Sequence, residues 1–154
     1  MEIHIPNEFA MQELGGALAQ VSAPPCRIYL EGNLGAGKTT LVRGFLRALD
    51  YTGPVKSPTY ALIEPYAFDS YSIYHLDLYR LSDPEELEYI GFRDLLDDSI
   101  LLVEWPDKGD GILPDPDVSI HIQYENEGRL VNLQALTKTG EQLLSNLKLE
   151  VLGA

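Results

Sequence analysis

The sequence predicts an α/β domain: a mostly parallel sheet between helices, in three layers, with an antiparallel hairpin at one edge. Three observations predict it. Residues 32–39 read Gly-Asn-Leu-Gly-Ala-Gly-Lys-Thr, of the form G-x-x-x-x-G-K-T, between a strand-like run and a helical stripe. Ile100, Leu101, Leu102 and Val103 form a continuous apolar run, as in a parallel strand buried on both faces. Residues 118–124 and 129–136 alternate about Glu125-Asn126-Glu127-Gly128, as the arms of a hairpin do. The glycine-rich spacing makes this a P-loop nucleotide hydrolase domain. Its glycines let successive backbone N–H groups turn inward around phosphate oxygens, where a side chain would block the approach.

The elements follow in order. Ile3-His4-Ile5 is a short strand, and Asn7 caps a helix whose apolar face is Met11, Leu14, Leu18 and Val21. Behind Pro24-Pro25, Arg27-Ile28-Tyr29-Leu30 reads as the strand that feeds the loop. Beyond it, Leu41, Val42, Phe45, Leu46 and Leu49 make the stripe of a helix. Its N-terminus adds about half a positive charge beside the phosphates. Gly53-Pro54 breaks the chain, and residues 60–66 and 71–77 read as strands joined by a turn near Asp69-Ser70. Ser82-x-x-Glu85 is a capping box, with Pro84 in the first turn, for a helix through about Ile90. The Pro-, Gly- and Asp-rich residues 106–116 read as a surface loop, and residues 140–147 as a last helix before a frayed tail after about residue 148.

At 154 residues the chain reads as one domain, residues 1–154, able to bury roughly 68–70% of its unfolded surface. One cysteine, Cys26, allows no internal disulfide and fits a reducing compartment. No apolar run approaches the roughly 20 residues of a membrane helix, so a cytoplasmic protein is expected. The formal net charge is −13, from 24 acids against 11 bases, which argues against a basic groove for nucleic acid. Asp83, Glu85, Glu86, Glu88, Asp94, Asp97 and Asp98 are opposed locally by Arg93 alone. This is either a solvated surface or a docking face for a basic protein.

The candidate chemistry gathers at one edge of the sheet, because ligands of open parallel sheets bind outside the carboxyl ends of the strands. Lys38 reaches the β- and γ-phosphates, and the Thr39 hydroxyl serves Mg²⁺. Two strands end in a carboxylate, Asp77 and Glu104. One such acid serves the metal and the other orients the attacking water. The more fully apolar strand precedes Glu104, which makes Glu104 the metal ligand with Thr39 and leaves the water to Asp77. In Ser57-Pro58-Thr59 the proline stiffens the link, and either hydroxyl is placed to reach the γ-phosphate or the metal. Candidate catalytic residues are therefore Lys38, Asp77 and Thr59. Trp105 packs near the nucleotide or in the core, and His4, His75 and His121 show no ligand spacing and read as structural.

Four motifs in this order resemble the TsaE (YjeE) family of P-loop ATPases: residues 30–40, then Lys56-Ser57-Pro58-Thr59-Tyr60, then His75-Leu76-Asp77-Leu78-Tyr79-Arg80, then Val103-Glu104-Trp105-Pro106-Asp107. Residues 85–91, Glu-Glu-Leu-Glu-Tyr-Ile-Gly, match as well, and the likeness runs from about Asn7 to Ala135. The resemblance implies an ATP hydrolase that supports the threonylcarbamoyl adenosine (t6A) modification of tRNA while docked on a TsaB–TsaD pair. It implies ATP on Gly35, Ala36, Gly37, Lys38, Thr39 and Thr40, Mg²⁺ on Thr39 and Glu104, and a catalytic Asp77. Met11 stands where the family commonly has a threonine on the nucleotide, so that contact is not carried over, and Arg129 receives no role.

Two other classes compete. A small-molecule kinase needs an acceptor pocket and usually an arginine-bearing lid, whereas the six arginines here do not cluster. A non-catalytic, nucleotide-gated binding module would dock without turnover. Direct tRNA binding by the isolated chain is not expected at this charge.

Overall fold

The computed structural model describes residues 1–58 and 60–148. The candidate Thr59 and the expected frayed tail lie outside the described residues. The elements run β1 (Glu2–Ile5), α1 (Glu8–Val21), β2 (Cys26–Gly32), α2 (Lys38–Ala48), β3 (Ile63–Ala67), β4 (Ser72–Asp77), α3 (Glu86–Tyr89), β5 (Ser99–Glu104), β6 (Val118–Glu125), β7 (Gly128–Ala135) and α4 (Lys138–Asn146). Single 3₁₀ turns occupy Phe92–Leu95 and Pro106–Gly109.

All seven strands join one mixed sheet in the order β1-β7-β6-β2-β5-β4-β3. Its centre, β6-β2-β5-β4, is parallel, and both flanks are antiparallel. The sheet is therefore less parallel than the sequence suggests. The β6–β7 hairpin is also not its edge, because β1 pairs onto β7 from Glu2↔Asn132 to Ile5↔Arg129. The other edge is β3, itself the hairpin partner of β4.

β5 shows why the centre is apolar on both sides. Ile100 and Leu102 pack into a core with α1 and α2, while Leu101 and Val103 pack into a second core with Leu78, Leu87 and Phe92. Strand residues alternate faces, and here each face packs into its own apolar cluster. Asn7 caps α1 as expected, its Oδ1 accepting from the Ala10 N–H at 2.9 Å, and Met11, Leu14 and Leu18 are buried. In α2, Leu41, Val42, Phe45 and Leu46 are fully buried.

Four local readings need correction. Tyr60 to Leu62 form a turn, with the Leu62 N–H on the Pro58 carbonyl at 2.8 Å, so β3 starts only at Ile63. The capping box does not form: Asp83, not Ser82, accepts from the Glu85 N–H, at 3.0 Å, and α3 is a single turn stopped by Gly91 at φ +71°. Residues 106–116 are not wholly a surface loop, since Pro106 and Gly109 are buried and the Tyr29 hydroxyl donates to the Pro114 carbonyl. α4 begins earlier than expected, capped by Thr137, whose Oγ1 accepts from the Gly140 N–H at 3.0 Å.

The contact that positions α2 is backbone on backbone. A Cβ built on Gly15 would lie 2.0 Å from the Leu41 carbonyl oxygen, and one on Gly44 would lie 2.1 Å from that of Gln12. Only glycine lets α1 and α2 approach this closely. Elsewhere in a helix, Gly→Ala gains about 1 kcal/mol of helix propensity. At Gly44 the clash should reverse the sign, and Gly44→Ala should lose about 2 kcal/mol net. Gly16→Ala, whose Cβ would meet Ala48 Cβ at an ordinary 3.4 Å, is the control and should not destabilise. Urea unfolding midpoints of the two variants check this; equal midpoints would refute the close-packing account.

Candidate functional site

Strands β2, β4 and β5 run parallel, so their carboxyl ends share one edge of the sheet. The register places Asp77 directly beside Glu104, and Glu104 beside Leu30. β2 then leads through Gly32 into the glycine-rich loop, and α2 starts at Lys38. The loop turns through positive φ at Gly35 (+77°) and Gly37 (+120°), a conformation that costs an L side chain free energy. Gly35 to Thr40, Ser57, Asp77, Glu104 and Trp105 all line one cavity of about 550 Å³, within the range of small-molecule and cofactor sites. The start of α1 completes the wall through Asn7, Glu8 and Met11. Met11 packs beneath the loop, its Cε 3.0 Å from where a Gly37 Cβ would be.

One carboxylate oxygen joins three elements. Glu104 Oε2 accepts from the Thr39 hydroxyl at 3.0 Å and lies 2.6 Å from His75 Nε2. An ionised carboxylate only accepts, so the imidazole Nε2 carries the hydrogen. His75 is fully buried, and among the described residues its Nδ1 has no partner. The sequence reading missed this contact. The available signal was spacing, since His75 and Asp77 stand two apart on β4 and share a face.

Asp77 is held differently. Its Oδ1 accepts from the Tyr79 N–H at 3.0 Å and its Oδ2 from the Ser57 hydroxyl at 3.3 Å. The strand end and the link after α2 therefore meet at this carboxylate, a contact the sequence reading did not foresee for Ser57. Lys38 is buried, and its ammonium donates to the Gly32 carbonyl and lies 3.9 Å from the centre of the Trp105 ring. Burial lowers the Lys38 pKa, while Glu104, Asp77 and Asp107 oppose the shift by stabilising its charge. Trp105 reaches this position from an αL backbone, φ 57°, which is rare for a bulky residue. Its ring packs on Tyr79 with centroids 5.1 Å apart.

Two further residues reach the loop: Arg129, left without a role by the sequence reading, and Tyr124, which no local signal marks. Arg129 and Tyr124 are cross-strand partners in the β6–β7 hairpin. Arg129 donates to the carbonyls of Ala36 (2.8 Å) and Gly35 (3.3 Å), and the Tyr124 hydroxyl donates to that of Leu34 (2.8 Å).

These donors suit a polyanion with a hard cation. The helix N-terminus and Lys38 supply positive potential for phosphate. The Thr39 hydroxyl and the Glu104 and Asp77 carboxylates are oxygen donors of the kind Mg²⁺ takes. Among the described residues no group of three His, Cys, Asp or Glu could hold a metal alone. Mg²⁺ needs none, because it keeps waters and takes substrate oxygens alongside one or two carboxylates.

Comparison with known proteins decides the family. The family model "Threonylcarbamoyl adenosine biosynthesis protein TsaE" matches residues 5–131. The chain belongs to the TsaE family. It is 47% identical over 148 residues to the tRNA threonylcarbamoyladenosine biosynthesis protein TsaE of Haemophilus influenzae, covering 92% of this chain and 94% of that one. It is 39% identical over 113 residues to the TsaE of Synechocystis sp., covering 70% and 71%. Its fold is similar to the crystal structure of Bacillus subtilus YdiB, with TM-score 0.82, 26% identity, and 96% and 93% of the two chains covered. Membership in TsaE places the chain among proteins of threonylcarbamoyl adenosine biosynthesis, and among the described residues no helix is long and apolar enough to cross a membrane.

The position of Lys38 generates a direct test. Lys38→Ala removes what is, among the described residues, the one side-chain ammonium that lines the cavity. Loss of a charge-assisted bond costs about 1.5–3 kcal/mol, so affinity for a nucleoside triphosphate should fall roughly 10–100-fold. Calorimetric titration gives the affinity and the thermal unfolding curve confirms the fold. Undiminished affinity would remove Lys38 from the phosphate site.

Proposed function

We propose that this chain is a Mg²⁺-dependent ATPase with a three-layer P-loop architecture, accessory to t6A modification of tRNA in the cytoplasm, acting on a TsaB–TsaD complex. The observation that carries the reading is the 3.0 Å bond from the Thr39 hydroxyl to Glu104. It joins the first turn of α2 to the end of β5 at the mouth of the glycine-rich loop, where a nucleotide-bound cation belongs. In this reading Gly35 to Thr40 hold ATP through backbone N–H groups and the Lys38 ammonium, and Thr39 and Glu104 hold the cation. Mg²⁺, when bound, supplies positive charge against the β- and γ-phosphate oxygens.

The chain's own residues do the rest. Lys38 leaves the Gly32 carbonyl for phosphate, which replaces a neutral acceptor by a charged one. Asp77, held by Tyr79 and Ser57, orients a water toward the γ-phosphorus. The water oxygen bonds to that phosphorus and passes a proton to a γ-phosphate oxygen, the bond from the phosphorus to the ADP oxygen breaks, and ADP and phosphate leave. Thr59, in the Ser57-Pro58-Thr59 link, keeps its candidate role, a hydroxyl for the γ-phosphate or the metal. Turnover is low until the partners are present.

The acidic face supports a protein partner over RNA. Asp83, Glu85, Glu88, Asp94, Asp97 and Asp98 are exposed, and Arg93 pairs with Glu88, at 2.7 Å. Exposed Tyr89 and Ile90 lie among these acids, which fits contact with protein. At a net charge of −13 the chain should repel a phosphate backbone, since Lys and Arg supply most nucleic-acid affinity.

ATPase assays of the purified chain, alone and with a TsaB–TsaD pair, test the function. Stimulation by the pair is expected, together with no tRNA binding by the isolated chain at physiological salt and slower docking as salt rises. Absence of hydrolysis in both assays would leave a binding module. Tight tRNA binding by the isolated chain would overturn the partner assignment.

The division between the two carboxylates is separately testable. Glu104→Ala should raise the Mg²⁺ concentration needed for activity. Asp77→Ala should lower turnover by roughly 10²–10⁴-fold at near-normal nucleotide affinity. Equal shifts in Mg²⁺ dependence would assign both acids to the metal.

A further inference from the structure

The carbonyl groups of the glycine-rich loop are held by the protein itself. Six consecutive carbonyl oxygens, from Gly32 to Gly37, each accept a hydrogen bond from the protein. Gly32 accepts from the Lys38 ammonium, Asn33 from the Ala36 N–H at 3.0 Å and Gly37 from the Leu41 N–H at 2.9 Å. The middle three are bound from outside the loop: Leu34 by the Tyr124 hydroxyl, Gly35 and Ala36 by the Arg129 guanidinium. A peptide's N–H and C=O point in opposite directions. Holding the Leu34 and Ala36 carbonyls fixes the opposed N–H groups of Gly35 and Gly37 beside the cavity that Arg129 also lines, while the Ala36 N–H is taken by Asn33.

We propose that Arg129 and Tyr124 are positioning residues that preorganise the loop for phosphate from the β6–β7 hairpin, an inference that rests on the ATP-binding reading above. The two act as a unit. They are register partners, the Arg129 guanidinium lies 4.3 Å from the centre of the Tyr124 ring, and Arg129 also donates to the Gly128 carbonyl at 2.9 Å. With the ring against it, the guanidinium sets two of its donors on two successive carbonyls. A lysine, with a single ammonium and no planar fork, cannot reproduce this. Tyr124 additionally lies under Gly35, where an added Cβ would come 3.3 Å from its hydroxyl. The positive charge of Arg129 is thereby used on loop carbonyls.

A residue that shapes the loop affects every ligand whose phosphates sit in it. One that touches the terminal phosphate discriminates ATP from ADP. Calorimetric titration of the full chain with ADP and with a non-hydrolysable ATP analogue separates the two. Arg129→Ala and Arg129→Lys should each weaken both ligands alike, by roughly 10–100-fold. Tyr124→Phe, which keeps the ring and removes one neutral hydrogen bond, should weaken both by roughly 2–10-fold. In the ligand-free protein, ¹⁵N relaxation should show the Gly35 and Ala36 amides falling from about 0.85 in order parameter to below about 0.6 in Arg129→Lys, while amides in β5 stay rigid. That readout needs no nucleotide and is not moved by a general loss of stability.

Selective loss of the ATP analogue would make Arg129 a ligand contact and overturn the proposal. So would unchanged affinities together with unchanged loop order parameters. If the unsubstituted chain binds neither nucleotide, the ATP-binding reading fails and this inference fails with it. If it binds both and the variants match it, the positioning role alone is lost.

Discussion

The carboxylate of Glu104 sits almost fully buried at the end of β5, beside the central strand β2, and it is tolerated there because Thr39 and His75 both hydrogen-bond to one of its oxygens. A buried carboxylate without such donors would cost several kcal/mol, on the order of the whole stability of a domain. The two bonds set tight conditions on the structure. β4 must pair with β5 in the register that puts His75 within 2.6 Å, and the first turn of α2 must lie over the strand ends. A one-residue slip of β4 would turn His75 and Asp77 to the opposite face of the sheet.

The position of α2 depends in turn on the glycine contact with α1. Because Gly15 and Gly44 allow the two backbones to touch, α1 packs deeply against α2, and its start at Asn7 and Met11 closes the cavity beside the loop. From the other side the β6–β7 hairpin holds the loop carbonyls. The loop is thus fixed by the helix that follows it, by α1 packed on that helix, and by a hairpin distant in sequence, which is how an exposed glycine-rich segment keeps a single shape despite its conformational freedom. The same rigidity is what electrostatic preorganisation toward phosphate requires.

Much of this frame was legible in the chain itself. The continuous apolar run of β5 announced a strand buried on both faces, and the acids that end β4 and β5 announced a shared edge. Asn7 was readable as a cap because its short side chain suits only one position of a helix. Other features depend on contacts between remote segments. β1 is too short to declare its partner, and the Arg129–Tyr124 pair has meaning only once the hairpin lies beside the loop. Asp83 displaces Ser82 as the local acceptor because an Asx turn competes with a capping box for nearby N–H groups. His75 looked structural since its partner is 29 positions away, although its spacing from Asp77 placed it on the same face.

A crystal structure with Mg²⁺ and a non-hydrolysable ATP analogue tests the central claim most directly, that Thr39 and Glu104 together form the cation site of a nucleotide loop. The account predicts phosphates in the loop of residues 32–39, the Thr39 hydroxyl moved from Glu104 onto the metal, and Glu104 on the same ion with His75 still bound behind it. A nucleotide seated elsewhere, or a metal that leaves the Thr39–Glu104 bond intact, would contradict it.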